Sequence, residues 1–418
     1  MASIEYLQKF DKAQFFRFFV DGRFQKKYNG WIGYEARERG SVQALLNGFS
    51  FMLDNLQSPT GLRCPYLLQL HRTCMLHVQA SEKTAPGDVR YLNTGMPFFI
   101  KTTTLEHLQE ILEMRRNDGT RIFHDRELSK TADQLRARDI YQLLQKKTKL
   151  IYRPWYPDLD LATQDALAGD STLSRFYEAK HYVQMLIVDK MEEIVDRYNR
   201  NSRRATSEEE KLATIALLVR ELELLHPFSD GNCRVFANVL LTQLLLYHGF
   251  PPAILHNPNL DGELSLKQWT GEIKDGMQRT LTLLEDPTAT VCNYSIRDIP
   301  EEKQREFLGM AAELIQKIDA YREIFLTPER AQRYTGGYWI NGDLNLRFTE
   351  VSVKGGVRSG SICYLTTIDD WRKEENVIQH ELIRRVKGGV RAFVVDDRNH
   401  AVAHVRERDG DPRTFFGR

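Results

Sequence analysis

The sequence predicts a mainly α-helical core followed by a small α+β unit. Apolar residues recur at helical spacing through most of the chain up to position 326. A nine-residue polar loop separates two of the strongest helical stretches. Beyond position 327, Gly336, Gly337, Gly342, Gly355, Gly356 and Gly360 interrupt short β-rich runs.

Residues 1–40 read as a helical lead whose Phe15, Phe16, Phe18 and Phe19 pack inward. Residues 41–56 form a helix with Ser41 as N-cap and with Val42, Leu45, Leu46 and Phe49 on one face. Residues 65–78 form a second, with Pro65 near its start. Residues 89–100 suit an extended hairpin turning at 93–95. Thr104 caps a short helix. Residues 102–175 read as an insertion, charged, carrying some helix, with Tyr152, Trp155 and Tyr156 clustered; Arg115 and Arg116 read as a solvated helix end. Residues 176–198 are helical, and Thr206 with Glu209 makes a capping box for a helix running to 225. Residues 234–248 are a nearly continuous apolar helix, which implies burial on most sides. Two more helices cover 264–284 and 300–326, the latter connecting to the last unit. In that unit, strands at 344–353 and 361–367 precede a helix at 369–385 and a hairpin at 391–405. The predicted divisions are therefore 1–40, 41–290, 291–326 and 327–418.

A chain of 418 residues suggests two or three domains at roughly 150 residues each. With 42% apolar and 28% charged residues the composition is that of a globular protein. Lys and Arg total 58 against 57 for Asp and Glu, so nothing global draws the chain to nucleic acid or a charged membrane surface. Five irregularly spaced cysteines form no disulfide or zinc pattern and favour a reducing compartment. No apolar run reaches the ~20 residues that cross a bilayer, and the first residues lack a signal-peptide core. The expectation is a protein without a transmembrane segment that works in a cytoplasm, its own or a host's after secretion as an effector.

The chemistry concentrates in residues 226–234, between two helices. The loop delivers backbone N–H groups and the positive end of a helix dipole to one point, which suits phosphate. Gly231 permits a close anion approach and unusual dihedrals. Arg234 adds a fork of donors in the first helical turn, Asn232 adds an amide, and Asp230 offers a hard carboxylate for Mg²⁺ that also takes phosphate oxygens. His226, at the end of the preceding helix, is the side chain whose ordinary pKa suits proton removal near neutrality. Phe228 anchors the loop in the core. Each residue alone fits a capped helix-to-helix turn closed by glycine; the set in nine positions points to a phosphate-handling site.

This stretch resembles the signature of the Fic family, His-x-Phe-x-Asp/Glu-Gly-Asn-Gly-Arg-x-x-Arg, at His226, Phe228, Asp230, Gly231, Asn232 and Arg234. The helices at 41–56 and 65–78 (with His71) and the segment 87–100 resemble the rest of that family's core, over residues 35–290 without the insertion. The resemblance implies a mostly helical fold with a β-hairpin flap, in which Val89, Arg90, Tyr91 and Leu92 dock a target protein by strand-like pairing. It implies transfer of AMP from ATP, with Mg²⁺, to a Ser, Thr or Tyr hydroxyl deprotonated by His226. Related enzymes use UTP, GTP or CDP-choline, one branch transfers a phosphate alone, and an interaction module on the same fold is a further alternative. Two positions depart from the pattern. Cys233 replaces a glycine, supplies with Gly231 the N–H groups of the phosphate cradle, and is a substituted glycine before it is a catalytic thiol. Ala237 replaces the second arginine, which helps hold outer phosphates and, in self-inhibited relatives, receives an inhibitory glutamate. The nearest echo of that inhibitory motif is residues 31–36 with Glu35, and it lacks the motif's flanking residues. The sequence therefore predicts no silencing in cis by that device.

Overall fold

The computed structural model describes residues 4–56, 62–78, 85–90, 95–116, 122–128, 130–153 and 172–321, and five strands between 337 and 406; for 172–182 and those strands the backbone alone is described. Two compact units emerge, residues 1–52 with 62–319, and residues 53–61 with 320–418.

The first unit is mainly helical. In chain order its helices are α1 (Glu5–Lys9), α2 (Gly22–Gln25), α3 (Ile32–Arg37), α4 (Ser41–Asp54), α5 (Cys64–Met75), α6 (Leu105–Met114), α7 (Ala137–Lys147), α8 (Thr172–Arg204), α9 (Glu208–Leu225), α10 (Leu241–Tyr247), α11 (Leu266–Glu285), α12 (Glu301–Met310) and α13 (Ala312–Ala320). The N-terminal aromatics pack as predicted: Phe15, Phe16, Phe18 and Phe19 are all buried, with Phe15 edge-on to Phe49 of α4.

Two caps differ from expectation. Ser41 lies inside α4, and Glu35 of α3 accepts from the N–H groups of Gly40 and Val42 at 2.6 and 3.0 Å. The capping box of α9 sits one residue later than predicted, with Ser207 and Glu210 bonding reciprocally. The helix predicted over 300–326 breaks at Ala311 into α12 and α13. The helix predicted from 234 opens as a π-helix, Arg234–Leu240, before α10, a distortion that recurs at functional sites.

The predicted hairpin is replaced by a different pairing. Strand β1 (Met96–Phe99) runs antiparallel to β2 (Lys149–Tyr152), which follows the insertion, with Met96 opposite Tyr152. Residues 91–94, which contain Tyr91, Leu92 and the start of the expected turn, lie outside the described residues. The sheet, α6 and α7 enclose a core of their own around Phe98, Ile111, Phe123, Ile140, Leu144 and Tyr152, with Phe98 stacked on Tyr152 at 4.8 Å. This small core meets the main one at Leu224 of α9. Arg220 of α9 ties the two together, bonding Glu110 at 2.6 Å and His107 at 2.9 Å on α6. Trp155 and Tyr156 lie outside the described residues.

In the second unit, β3 (Gly337–Asn341), β4 (Leu346–Glu350), β5 (Ile362–Thr367), β6 (Val390–Val395) and β7 (Ala401–Arg406) form one sheet in that order, antiparallel except for β5 with β6. The β6–β7 pair matches the hairpin expected at 391–405, and the helix expected at 369–385 lies outside the described residues. Among the described residues no helix is long and apolar enough to cross a membrane.

Candidate active site

Helix α9 ends at Leu225, and His226 turns the chain by adopting a left-handed backbone, φ 50° and ψ 59°. A non-glycine residue seldom takes that conformation, which ends the helix at this point. The His226 side chain is 20% exposed. From there the loop runs to the π-helix that opens at Arg234.

The loop is fixed from inside. Phe228 is fully buried, and Asn232 brackets it, accepting from the Phe228 N–H at 3.0 Å and donating to its carbonyl at 2.9 Å. Both ends of the Asn232 amide are thus committed, and the residue is buried. These bonds hold the loop's shape. Asp230 accepts from the Gly231 N–H at 2.6 Å and keeps a partly exposed side chain. Gly231 has φ +77°, and a Cβ there would lie 2.5 Å from the Met75 sulfur, so glycine is required twice over. Cys233 has φ −59° and ψ −41°, ordinary helical values, so its Cβ adds no backbone strain. Burial, and then the charges of Asp261 and Glu223, push its thiol well above the usual value, which keeps it a neutral filler and a poor nucleophile. Ala237 is buried within the π-helix.

The loop is also fixed from outside. His71 of α5 stacks on Phe228, 3.7 Å between centroids at 10°. Its Nε2 is 3.0 Å from the Asp230 carbonyl, and its Nδ1 accepts from the Gly87 N–H at 2.8 Å, which assigns the Nε2–H tautomer. Burial pushes its pKa down to about 4, so it is neutral throughout the physiological range. On the other side Arg90 is fully buried. It donates to the carbonyls of His226 and of Leu225, the latter at 3.0 Å, while its own N–H bonds the Pro227 carbonyl at 2.8 Å. Val89 is buried and its carbonyl accepts from Gln184 at 2.5 Å. Val89 and Arg90, expected to dock a target, are both buried; Arg90 braces the loop, and Val89 bonds α8. Arg115, read from sequence as solvated, is also buried and donates to the Leu224 carbonyl at 3.0 Å; Arg116 is exposed as expected.

Three further groups complete the site. Glu38, just past α3, pairs with Arg234, whose guanidinium also contacts the Met75 sulfur at 3.2 Å. Glu35, the sequence's candidate inhibitory acid, is committed to the start of α4. Glu223 lies one helical turn before His226, with its Oε1 3.5 Å from His226 Nδ1. Asp261 is fully buried in the short helical turn Pro258–Gly262, and burial, then the charge of Glu223, push its carboxyl well above the ordinary range. Glu223 Oε2, Asp261 Oδ2 and His226 Nδ1 are buried with no hydrogen-bond partner among the described residues. Glu223 had a sequence signal, since three-residue spacing puts it on the face of His226. Asp261, Glu38 and Arg90 come from distant segments whose convergence only the fold reveals.

A helical core that presents a histidine at a helix C-terminus beside an anion-receptive helix N-terminus defines the class. No protein-family model matches the chain. The chain is similar to the phosphocholine transferase AnkX of Legionella pneumophila, 26% identical over 292 residues; the alignment covers 68% of this chain but only 30% of that relative's length. It is also similar to the crystal structure of a Fic domain containing signaling protein from Bacteroides thetaiotaomicron, at a TM-score of 0.30 and 12% identity, covering 72% of this chain and 81% of that one. What the chain shares with the Fic family is the signature at residues 226–234, and its similarity to that transferase spans 292 residues.

Proposed function

We propose that the chain transfers phosphocholine from CDP-choline to a hydroxyl side chain of a target protein. The observation that carries the choice of donor is the buried carboxylate pair, Glu223 and Asp261, beside His226. Two acids in one dry place repel each other, so one keeps a proton, as the raised Asp261 carboxyl does, until a cation joins them. Their unpartnered oxygens leave that role open, and the nearby Arg220 is already bonded to Glu110 and His107. A quaternary ammonium head, which cannot donate hydrogen bonds but carries a full charge, suits such a pair; adenine carries none. The resemblance to a phosphocholine transferase points the same way. So does Ala237, which removes a guanidinium that would hold the outer phosphates of a triphosphate.

In this reading His226 takes the proton of the target hydroxyl, whose oxygen attacks the phosphorus of the phosphocholine group. The bond from that phosphorus to the bridging oxygen breaks, and CMP leaves with that oxygen. The N–H groups around Gly231 and the guanidinium of Arg234 stabilise the charge on the phosphoryl oxygens. Among the described residues no three His, Cys, Asp or Glu side chains are grouped to hold a metal unaided. Asp230 fits Mg²⁺ as its single protein carboxylate, with phosphate oxygens and water as the remaining ligands, and the ion would offset phosphate charge.

Transfer of AMP from ATP is the second reading, because the cradle and Arg234 recognise phosphate and not what it carries; UTP and GTP fall under the same reading. Intact-mass spectrometry separates them. Wild type and His226→Ala are incubated with Mg²⁺, a cell lysate and each donor in turn. A His226-dependent gain of a phosphocholine group from CDP-choline supports the proposal; a gain of a nucleotidyl group from ATP with none from CDP-choline replaces it by the second reading.

A further inference from the structure

The last carbonyls of α9 belong to Leu224, Leu225 and His226, the negative end of a helix dipole deep in the protein. Two buried guanidinium groups meet them: Arg115 at Leu224, and Arg90 at Leu225 and His226. Their roles differ. Arg115 bonds the Leu224 carbonyl and also the Tyr152 hydroxyl, at 2.8 Å. Arg90 grips the backbone before, at and after the base, because its N–H reaches the Pro227 carbonyl as well.

We propose that Arg90 is a positioning residue of the reaction: it holds His226 in its left-handed conformation and so sets where the base points. The inference rests on His226 acting as the base. Left-handed backbone at a histidine is disfavoured and persists only where its surroundings impose it. Pro227 has no N–H with which to help, and the intrahelical bond from His226 N–H to Leu222, at 3.0 Å, fixes only one side of the residue. The carbonyl of His226 is the handle that fixes the other, and Arg90 Nε holds it. Arginine suits the task because its planar fork spans two adjacent carbonyls; a lysine ammonium keeps the charge but is a point donor that cannot impose the same plane. Arg90 bonds the backbone of residues 225–227, so its replacement is expected to act first on the base.

The test compares Arg90→Lys with Arg115→Lys in the purified full chain, with CDP-choline and with ATP. Arg90→Lys is expected to lower kcat by about 10- to 100-fold, the order that misplacing a catalytic group brings, with the donor KM within about twofold. Arg115→Lys caps the same helix end and is expected to lower the melting temperature with kcat within about twofold, whichever donor serves. Equal loss of kcat in both, or a kcat of Arg90→Lys that simply follows its folded fraction, would overturn the proposal. Should Arg90→Lys not fold, Arg90→Ala is assayed with millimolar guanidinium and with ammonium; rescue of kcat by guanidinium alone supports positioning, and rescue by neither overturns it. If wild type transfers nothing from either donor, the functional reading fails by itself. Arg90 is then judged by the rate at which diethyl pyrocarbonate modifies His226, which the Lys variant should change several-fold and which an unchanged rate would refute.

Discussion

Glu38 pairs with Arg234, so the one guanidinium of the loop is already occupied by a carboxylate from α3's end. A phosphate must displace that carboxylate or share the fork with it. Hydrogen bonds to charged partners are worth about 1.5–3 kcal/mol net, so removing the competitor should tighten donor binding roughly 10-fold. Glu38→Gln is therefore expected to lower the donor KM by about that factor, measured as initial transfer rate against donor concentration. An unchanged or higher KM would mean that Glu38 shapes Arg234 for the phosphate instead of blocking it.

Glu35 separates from Glu38 in the same assay. Its carboxylate accepts from two N–H groups at the start of α4, so Glu35→Gly should lower stability by about 0.5–2 kcal/mol, as the loss of a helix cap does. No rise in turnover should accompany it. Thermal melting and transfer rate on the same preparation decide the matter, and a many-fold rise in rate would restore Glu35 as an inhibitor.

The loop's two small positions should respond in opposite ways. Gly231→Ala places a Cβ against Met75 at φ +77° and should cost about 1–2 kcal/mol together with most of the activity. Cys233→Gly should cost about 0.5–1 kcal/mol of stability, because it loosens a first turn, while transfer survives. Loss of transfer in both Cys233→Gly and Cys233→Ser would give the thiol a chemical role that its burial argues against.

These contrasts mark what the sequence alone made legible. Local patterns carried well: the helices on both sides of the loop, the packing of the N-terminal aromatics and the positive φ of Gly231 follow from periodicity and short-range sterics. Pairings across the chain did not carry. Nothing near Met96 announces that its strand partner is Tyr152, beyond the insertion, because register is set by tertiary packing. Arg90 read as a target-docking residue and Arg115 as a solvated helix end, since a lone arginine in sequence gives no sign that helix-end carbonyls await it. Asp261 gave no signal at all; its significance is its burial beside Glu223, a property of the fold. Asn232 was legible as a motif residue, but its use as an internal brace is visible only in the geometry of its bonds to Phe228.

Asp261 supplies a prediction that is independent of activity. Its carboxyl is raised by burial and by Glu223, so the folded chain keeps a proton that the unfolded chain releases above about pH 4. The unfolded state then binds fewer protons, and stability must fall as pH rises through that window. Asp261→Asn removes this penalty. Its melting temperature should match wild type near pH 4 and exceed it increasingly toward pH 7–8, while its KM for CDP-choline rises and that for ATP does not. A variant less stable than wild type at pH 7 would mean that the ionised carboxylate has a partner in the fold.

The histidines act in the opposite sense at lower pH. Burial depresses His71 to about 4, His107 to about 3 and His248 to about 4. Between those values and the ordinary histidine pKa near 6.5, the unfolded chain binds protons that the folded chain refuses, so stability rises with pH there and is lost on acidification. His71 is the one whose protonation reaches the site. Its Nδ1 accepts from Gly87, and a proton on that nitrogen breaks the bond and places a charge against Phe228. In Asp261→Asn, where the opposing carboxyl is gone, denaturant midpoints at pH 7.5, 6 and 4.5 should decline in that order, and the His71 ring resonances should hold their neutral-form positions down to about pH 5. Titration of that ring near 6.5 would show that the bridge from α5 to the loop opens in solution, and the loop at 226–234 would then lose its outer brace at mildly acidic pH.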